Sequence, residues 1–352
     1  MQPPADLVND GARAPALLTH DLSFSGAPLA LLALAKALRR LGLRPRVVPL
    51  AGGPLAAVFA QAGIDLVPRV NPASVSYVIA NTVLTVPTAL QFKPKGVPVA
   101  AWIHETTYVF QTLKVHPPAC GLHLLDTVLM PARFQFQDFA SLIPAERIYQ
   151  MRNCVRQEWF RPPAGDPTYA VTGPWELRKG QARLVDLARE AGATCRFKFI
   201  GADRAPAIDR YIGAGAGQHL FTGKIAPEVA RLQIARSAAF VSCSEAEVQP
   251  LSVVEAVMAG RPALLSDIAA HRALAQDLPN VFLYDRTSPA SFADGLRRLR
   301  AAVPDEAAGR EASAQAHALF SESAFDLRLA ALQPLLRGES TATGHPAALQ
   351  DR

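Results

Sequence analysis

Cysteine is scarce in this chain of 352 residues: there are four, at positions 120, 154, 195 and 243, with no Cys-x-x-Cys pair and no metal-ligand spacing. A disulfide-stapled fold and a zinc module are therefore excluded, and the four read as reduced thiols of a cytoplasmic protein. Long apolar runs are also missing. No stretch approaches 18 uncharged apolar residues, and the opening segment, with Pro3, Pro4, Asp6 and Asp10, holds no apolar core of the signal-peptide kind, so neither a membrane span nor a leader is expected. The second half lacks any excess of one charge: residues 166–352 carry 21 Lys and Arg against 21 Asp and Glu, whereas residues 1–165 carry 15 against 9, which is the whole of the net +6. Part of that excess is gathered in Lys36, Arg39, Arg40, Arg44 and Arg46, at a helix end and the turn after it. Such a patch either attracts an anionic membrane surface or an acidic acceptor, or is a solvated helix end whose cations complement the dipole. No nucleic-acid partner is expected.

What the chain has is apolar material, 50% of its residues, enough at this length for two domains with their own cores. Short apolar runs alternate with helical or loop segments: Ala16 to Thr19, Val47-Val48, Ile64 to Val67, Tyr77 to Ala80, Val97 to Ile103, Asp126 to Met130 and Arg147 to Met151. Repeated strand-helix units of this kind build a mainly parallel sheet, whose strands, buried on both faces, are uniformly apolar as VPVAAWI is. Ligands of such sheets bind beyond the carboxyl ends of the strands, which singles out His20 and the SFSGAP turn with Gly26 after the first strand, and His104 and Glu105 after VPVAAWI. Each histidine has a bland reading too, as a satisfied residue at a strand end. Pro162, Pro163, Gly165 and Pro167 mark a linker, and the pattern then restarts with strands at Tyr169 to Gly173, Thr194 to Ile200, His219 to Gly223, Ala238 to Ser242, Ala263 to Leu265 and Val281 to Tyr284. The expected organisation is a first domain over residues 1–165 and a second over 166–336. The second includes closing helices around Phe292 to Leu299 and Phe325 to Leu336, which pack back across the hinge. A disordered polar tail over 337–352 completes the chain. The GAGAG cluster at 213–217 follows a helical segment and is not read as a dinucleotide loop.

The stretch SEAEVQPLSVVEAVMAGRPALLS, from Ser244 to Ser266, is the most informative. An acidic loop with Glu247 leaves a strand, a helix begins at Pro250, and Glu255 lies about five residues into it, roughly 7.5 Å along the axis. The unpaired amides and dipole at the start of that helix favour an anion such as a diphosphate. Lys179 stands near the start of another helix, where a cation opposes the dipole and so points to an anionic partner. Acids at helix starts are common in their own right, so Glu245, Glu247 and Glu255 also fit an ordinary surface.

EVQPLSVVEAVMAGRP resembles the Glu-x7-Glu signature of the retaining nucleotide-sugar glycosyltransferases of family four, with Gln249 where an aromatic is usual and Pro250 where a glycine is usual. MRNCVRQEWFRP is similar to the family's hinge stretch at Asn153, Val155, Phe160 and Pro162, and departs from it at Cys154 and Arg156. The resemblance implies an α/β protein of the GT-B fold, two Rossmann-like domains facing across a cleft, that moves a sugar from a UDP- or GDP-sugar to a glycan or lipid-linked acceptor with retention. It implies that Glu255 holds the ribose hydroxyls and Glu247 contacts the transferred sugar. The amides around Leu251 and Ser252, with Lys179-Gly180, meet the diphosphate. Lys224 and Ile225 of FTGKI meet the base, Gly26 faces the donor phosphate and the acceptor, and His104 hydrogen-bonds the reacting sugar. An arginine usually follows the glycine of the preceding strand, but Pro174 follows Gly173, so a second phosphate cation is absent or supplied by Arg178. No Asp-x-Asp occurs, so no divalent-metal site and no cofactor is expected. The implied setting is bacterial surface polysaccharide or glycolipid assembly, in the cytoplasm at the inner face of the membrane. A catalytically reduced sugar-binding or scaffold protein and a nucleotide-sugar epimerase are the alternatives.

Overall fold

The computed structural model describes residues 13–106, 110, 120–156, 160–161, 165–213 and 218–339. The chain divides into two compact units, Met1–Cys154 with Glu322–Arg352, and Val155–Ser321. Each is a parallel sheet with helices on both faces.

In the first unit the strands are β1 (Ala14–Thr19), β2 (Arg46–Pro49), β3 (Asp65–Leu66), β4 (Val75–Asn81), β5 (Val99–Trp102), β6 (Thr127–Met130) and β7 (Ile148–Gln150), in the order β3-β2-β1-β4-β5-β6-β7. In the second they are β8 (Asp166–Thr172), β9 (Phe197–Ile200), β10 (Leu220–Phe221), β11 (Ser237–Ser242), β12 (Ala263–Ser266) and β13 (Val281–Tyr284), in the order β10-β9-β8-β11-β12-β13. Both sheets reverse direction of winding between their first strand and their fourth, β1 beside β4 and β8 beside β11, with Leu17 opposite Ile79 and Phe240 opposite Ala170. The crevice at such a reversal is where open α/β sheets hold ligands.

Alternation along the strands explains why each run had to be apolar throughout. Leu17, Tyr77, Ile79, Ala100 and Trp102 enter one core of the first unit, and Ala16, Leu18, Val78, Ala80, Val99 and Ala101 enter the other. Val171, Phe199 and Val241 likewise face one core of the second unit, while Ala170, Ile200 and Phe240 face the opposite one.

Two expectations about organisation differ from the structure. The unit boundary falls at Cys154/Val155 and not near residue 165. Val155 already donates its amide to the Phe320 carbonyl at 2.9 Å and packs with Ala170 and Phe240. Residues 162–164 of the Pro-rich linker lie outside the described residues, as do 214–217 of the glycine cluster and the tail from 340. The last helix, Glu322–Leu336, was expected in the second domain and belongs to the first unit. Its stripe of Phe325, Leu329, Leu332 and Leu336 is fully buried against the face that holds Leu17 and Trp102. Tyr77 donates to Gln333 Oε1 at 3.0 Å, and Arg40 forks onto Asp326 at 2.6 and 2.8 Å. An amphipathic stripe states that a helix needs an apolar partner but not which sheet supplies it. The Phe292 to Leu299 segment, by contrast, stays in the second unit's core.

The basic cluster is largely spoken for. Arg40 is paired as above, Arg39 donates to the Gly63 carbonyl at 2.8 Å, and Arg46 donates to the Ser74 carbonyl at 2.6 Å. Of the five cations, Lys36 and Arg44 are left to face a partner. Among the described residues no helix is long and apolar enough to cross a membrane.

Candidate active site

At the reversal of the second sheet two loops are zipped together. The chain leaves β8 through Gly173, makes a tight turn over Leu177–Lys179, and starts the helix Gln181–Glu190 after Gly180. The loop after β11 lies directly against it: the Glu245 amide donates to the Arg178 carbonyl at 2.8 Å, and Arg178 Nη1 donates to the Ala246 carbonyl at 3.2 Å. Gly180 has φ +65°, and a Cβ there would stand 2.2 Å from the Cys243 carbonyl oxygen, so this crossing requires glycine twice over. Gly173 has φ +104°, and the stem of Lys179 lies over its Cα.

This packing brings Lys179 Nζ to 2.7 Å from Glu247 Oε1, with Arg178 Nη1 3.6 Å from Glu247 Oε2. Burial pushes the Glu247 carboxyl up, but Lys179, its hydrogen bond, Arg178 and the nearby His271 outweigh it and hold the group below its ordinary value. Two cations therefore serve this loop although Pro174 occupies the usual arginine position. Behind it, Ser266 Oγ donates to the Ser244 carbonyl at 2.7 Å, and buried His271 Nδ1 lies 2.7 Å from the Ser266 carbonyl. His271 is held neutral, its pKa pressed to about 4 chiefly by burial.

The helix after this loop is Leu251–Met258, with Pro250 capping it in an extended conformation, one residue later than the sequence suggested. Val253, Val254, Ala256, Val257 and Met258 are buried. Leu251, Ser252 and Glu255, at i, i+1 and i+4, form its partly open face. Thr172 Oγ1, at the end of β8, donates to Ser252 Oγ at 2.8 Å. Lys179 thus lies in the segment after β8, and Glu247, Leu251, Ser252 and Glu255 in the segment after β11, the two strands flanking the reversal. Ile225 follows β10, two strands from β8, and like Leu251 packs against the core cluster that holds Val253, Val254 and Val257.

In the first unit, the helix Gly26–Arg40 starts at Gly26, whose Cα faces open space, and His104 follows β5. A residue the sequence reading passed over joins them. Asn81, fully buried at the end of β4, donates from Nδ2 to the Ala27 carbonyl at 2.9 Å and places Oδ1 3.0 Å from His104 Nε2. The His104 ring lies 4.5 Å from that of Trp102, and burial, helped by His20, presses its pKa to about 3. His20 Nδ1 itself sits 3.5 Å from Thr82 Oγ1.

Thr82 has φ 95° and ψ 155°, a region a β-branched residue enters only under constraint. The Thr82 amide donates to the Trp102 carbonyl at 3.0 Å, its carbonyl accepts from Thr85 Oγ1 at 3.1 Å, and the next amide, of Val83, donates to the two oxygens of Glu105, 7% exposed, at 3.3 and 3.4 Å. Burial pushes the Glu105 carboxyl up to about 7, although the amides of Val83, His104 and Glu105 pull the other way. A polar residue closing an apolar strand, as Asn81 closes VSYVIAN, was the available signal for this cluster.

Residues 167–301 match the family model described as glycosyl transferases group 1, and residues 12–115 match that of glycosyl-transferase family 4. No curated protein matches the chain by sequence. Among solved structures, HepE of Anabaena in complex with UDP-glucose is 17% identical, with a TM-score of 0.76 over 91% of this chain and 99% of that one. Sucrose-phosphate synthase from Thermosynechococcus elongatus is 16% identical, with a TM-score of 0.74 over 93% and 99%. The apo form of WaaB, a lipopolysaccharide outer core galactosyltransferase, is 15% identical, with a TM-score of 0.69 over 92% and 99%. With a glycosyltransferase family domain in each unit and two parallel sheets that match those structures, the chain is a glycosyltransferase of the GT-B fold.

Proposed function

We propose that the chain transfers a sugar from a UDP- or GDP-sugar to a glycan or lipid-linked acceptor, with retention and without a metal ion. The observation that carries this reading is the convergence of Lys179 and Arg178 on Glu247 beside the open face of the helix Leu251–Met258. The donor diphosphate takes up the charge of the two cations and the first amides of that helix, whose hydrogens have no partner within it. Glu255, on the same face, accepts from the ribose hydroxyls; Glu247 contacts the transferred sugar, and Ile225 lies toward the base. In the first unit, Gly26 leaves room for substrate and His104 hydrogen-bonds a substrate hydroxyl. The bond from the anomeric carbon to the phosphate oxygen breaks, the acceptor oxygen bonds that carbon on the same face, and the acceptor proton passes to the leaving phosphate. Fixed cations and amides stabilise the charge that develops on that phosphate. The name of WaaB, a lipopolysaccharide galactosyltransferase of similar fold, supports a role in surface-polysaccharide assembly.

The test is a thermal-shift screen with UDP, GDP, ADP and their common sugars, since a ligand of the folded state raises the melting temperature by mass action. One nucleotide class should shift wild type and fail to shift Glu255→Ala. An equal shift for both proteins would remove Glu255 from the donor site, and no shift with any nucleotide would overturn the reading.

A further inference from the structure

We infer that Asn81 is a positioning residue that fixes His104 as the tautomer protonated on Nε2, so that Nδ1 offers its lone pair to a substrate hydroxyl. The argument begins at a backbone carbonyl. Ala27 O can only accept, so the Asn81 group 2.9 Å from it is the amide nitrogen and the orientation of that amide is determined. The amide oxygen is then the atom 3.0 Å from His104 Nε2. An amide oxygen also can only accept, so Nε2 must carry a hydrogen. In a neutral imidazole the remaining nitrogen is then unprotonated.

The ring stays neutral because nothing near it favours a charge. Among the described residues His104 makes no ion pair with a carboxylate, and the titratable group that acts on it is the imidazole of His20, which opposes a charge. Nδ1 itself meets no hydrogen-bonding group among the described residues. The opposite tautomer would set the Nε2 lone pair against the Asn81 oxygen while leaving the Ala27 contact unchanged. Asn81, fully buried at the end of β4, thereby links the first turn of the helix Gly26–Arg40 to the residue after β5 and converts that geometry into a chemical preference. The consequence for substrate is specific: His104 accepts a hydroxyl proton through Nδ1 and does not donate to a sugar oxygen.

The part concerning substrate rests on the role proposed for His104, while the tautomer does not. The measurement is nitrogen NMR of the full chain labelled in its histidine rings, with the His104 signals identified by their loss in His104→Gln. Wild type should show a pyridine-type Nδ1 and a pyrrole-type Nε2 unchanged between pH 5.5 and 8. Asn81→Leu should give a mixture of tautomers. Asn81→Asp, which keeps the shape and places a carboxylate against Nε2, should make His104 titrate within that range. With an active donor and acceptor pair, Asn81→Leu should slow transfer about tenfold with donor affinity within about twofold. A pyrrole-type Nδ1 in wild type, or an unaltered tautomer in Asn81→Leu, would overturn the inference. Failure of every nucleotide to bind wild type that shows the expected ring signals would instead count against the transferase reading alone.

Discussion

Replacing Glu105 by glutamine isolates one contest within the first unit. The carboxyl is 7% exposed and accepts from the Val83 amide; that amide and those of His104 and Glu105 favour its ionised form, but burial opposes them and prevails, taking it from an ordinary 4.5 to about 7. At about 1.4 kcal/mol for each tenfold step in proton affinity, this separates the folded and unfolded chains by about 3 kcal/mol. The sign follows from which state keeps the proton. Below pH 4.5 both states are protonated and the group is neutral in its effect. Between 4.5 and 7 the unfolded chain releases the proton while the folded one retains it, so stability falls as pH rises. Above 7 the full loss is present and constant. A glutamine side chain cannot titrate, so the stability of wild type minus that of Glu105→Gln should fall by about 3 kcal/mol between pH 4.5 and 8. Urea unfolding of both proteins across that range measures it, and the difference cancels every other titrating group and any fixed cost of the glutamine. A difference that stays flat would refute the reasoning. So would one that rises with pH, since that is the behaviour of a carboxylate whose amide donors win.

Two further outcomes follow from backbone and packing. Gly180→Ala forces a Cβ to 2.2 Å from the Cys243 carbonyl at φ +65°, and should cost about 3 kcal/mol and abolish nucleotide-induced thermal shifts; a variant as stable and responsive as wild type would show that the two loops are not locked. Ending the chain at Ser321 removes four side chains that are at most 1% exposed, Phe325, Leu329, Leu332 and Leu336. At about 1.5–3 kcal/mol each their loss rivals the whole stability of a typical domain, so the first unit should unfold while residues 155–321 keep protected amides in hydrogen exchange; equal protection in both units would contradict it.

The parallel sheets were legible because burial on both faces demands unbroken apolar runs, and Tyr77 to Ala80 or Val97 to Ile103 satisfy nothing else. Lys179 was legible as a cation just before a helix, and Glu247 and Glu255 as acids in the loop before a helix and on its partly open face. What could not be read was contact. The Lys179–Glu247 pair joins two loops distant in sequence, and the engagement of Arg39, Arg40 and Arg46 within the unit turns a patch that looked available into one mostly occupied. Asn81 and Thr82 acquire meaning only from the neighbours that β1 and β5 bring to β4. The partner of the last helix was hidden for the same reason: periodicity describes a face and is silent about what covers it.

That helix also sets an order of events during synthesis. Residues 155–321 form an uninterrupted unit, complete as soon as they leave the ribosome, whereas the first unit waits for a segment made after them. At about 5–20 residues per second, the sheet carrying Leu17, Tyr77 and Trp102 spends on the order of 10–40 s with one apolar face uncovered. The nascent chain is therefore most exposed to chaperones and to misassociation in the sheet translated ahead of residues 155–321.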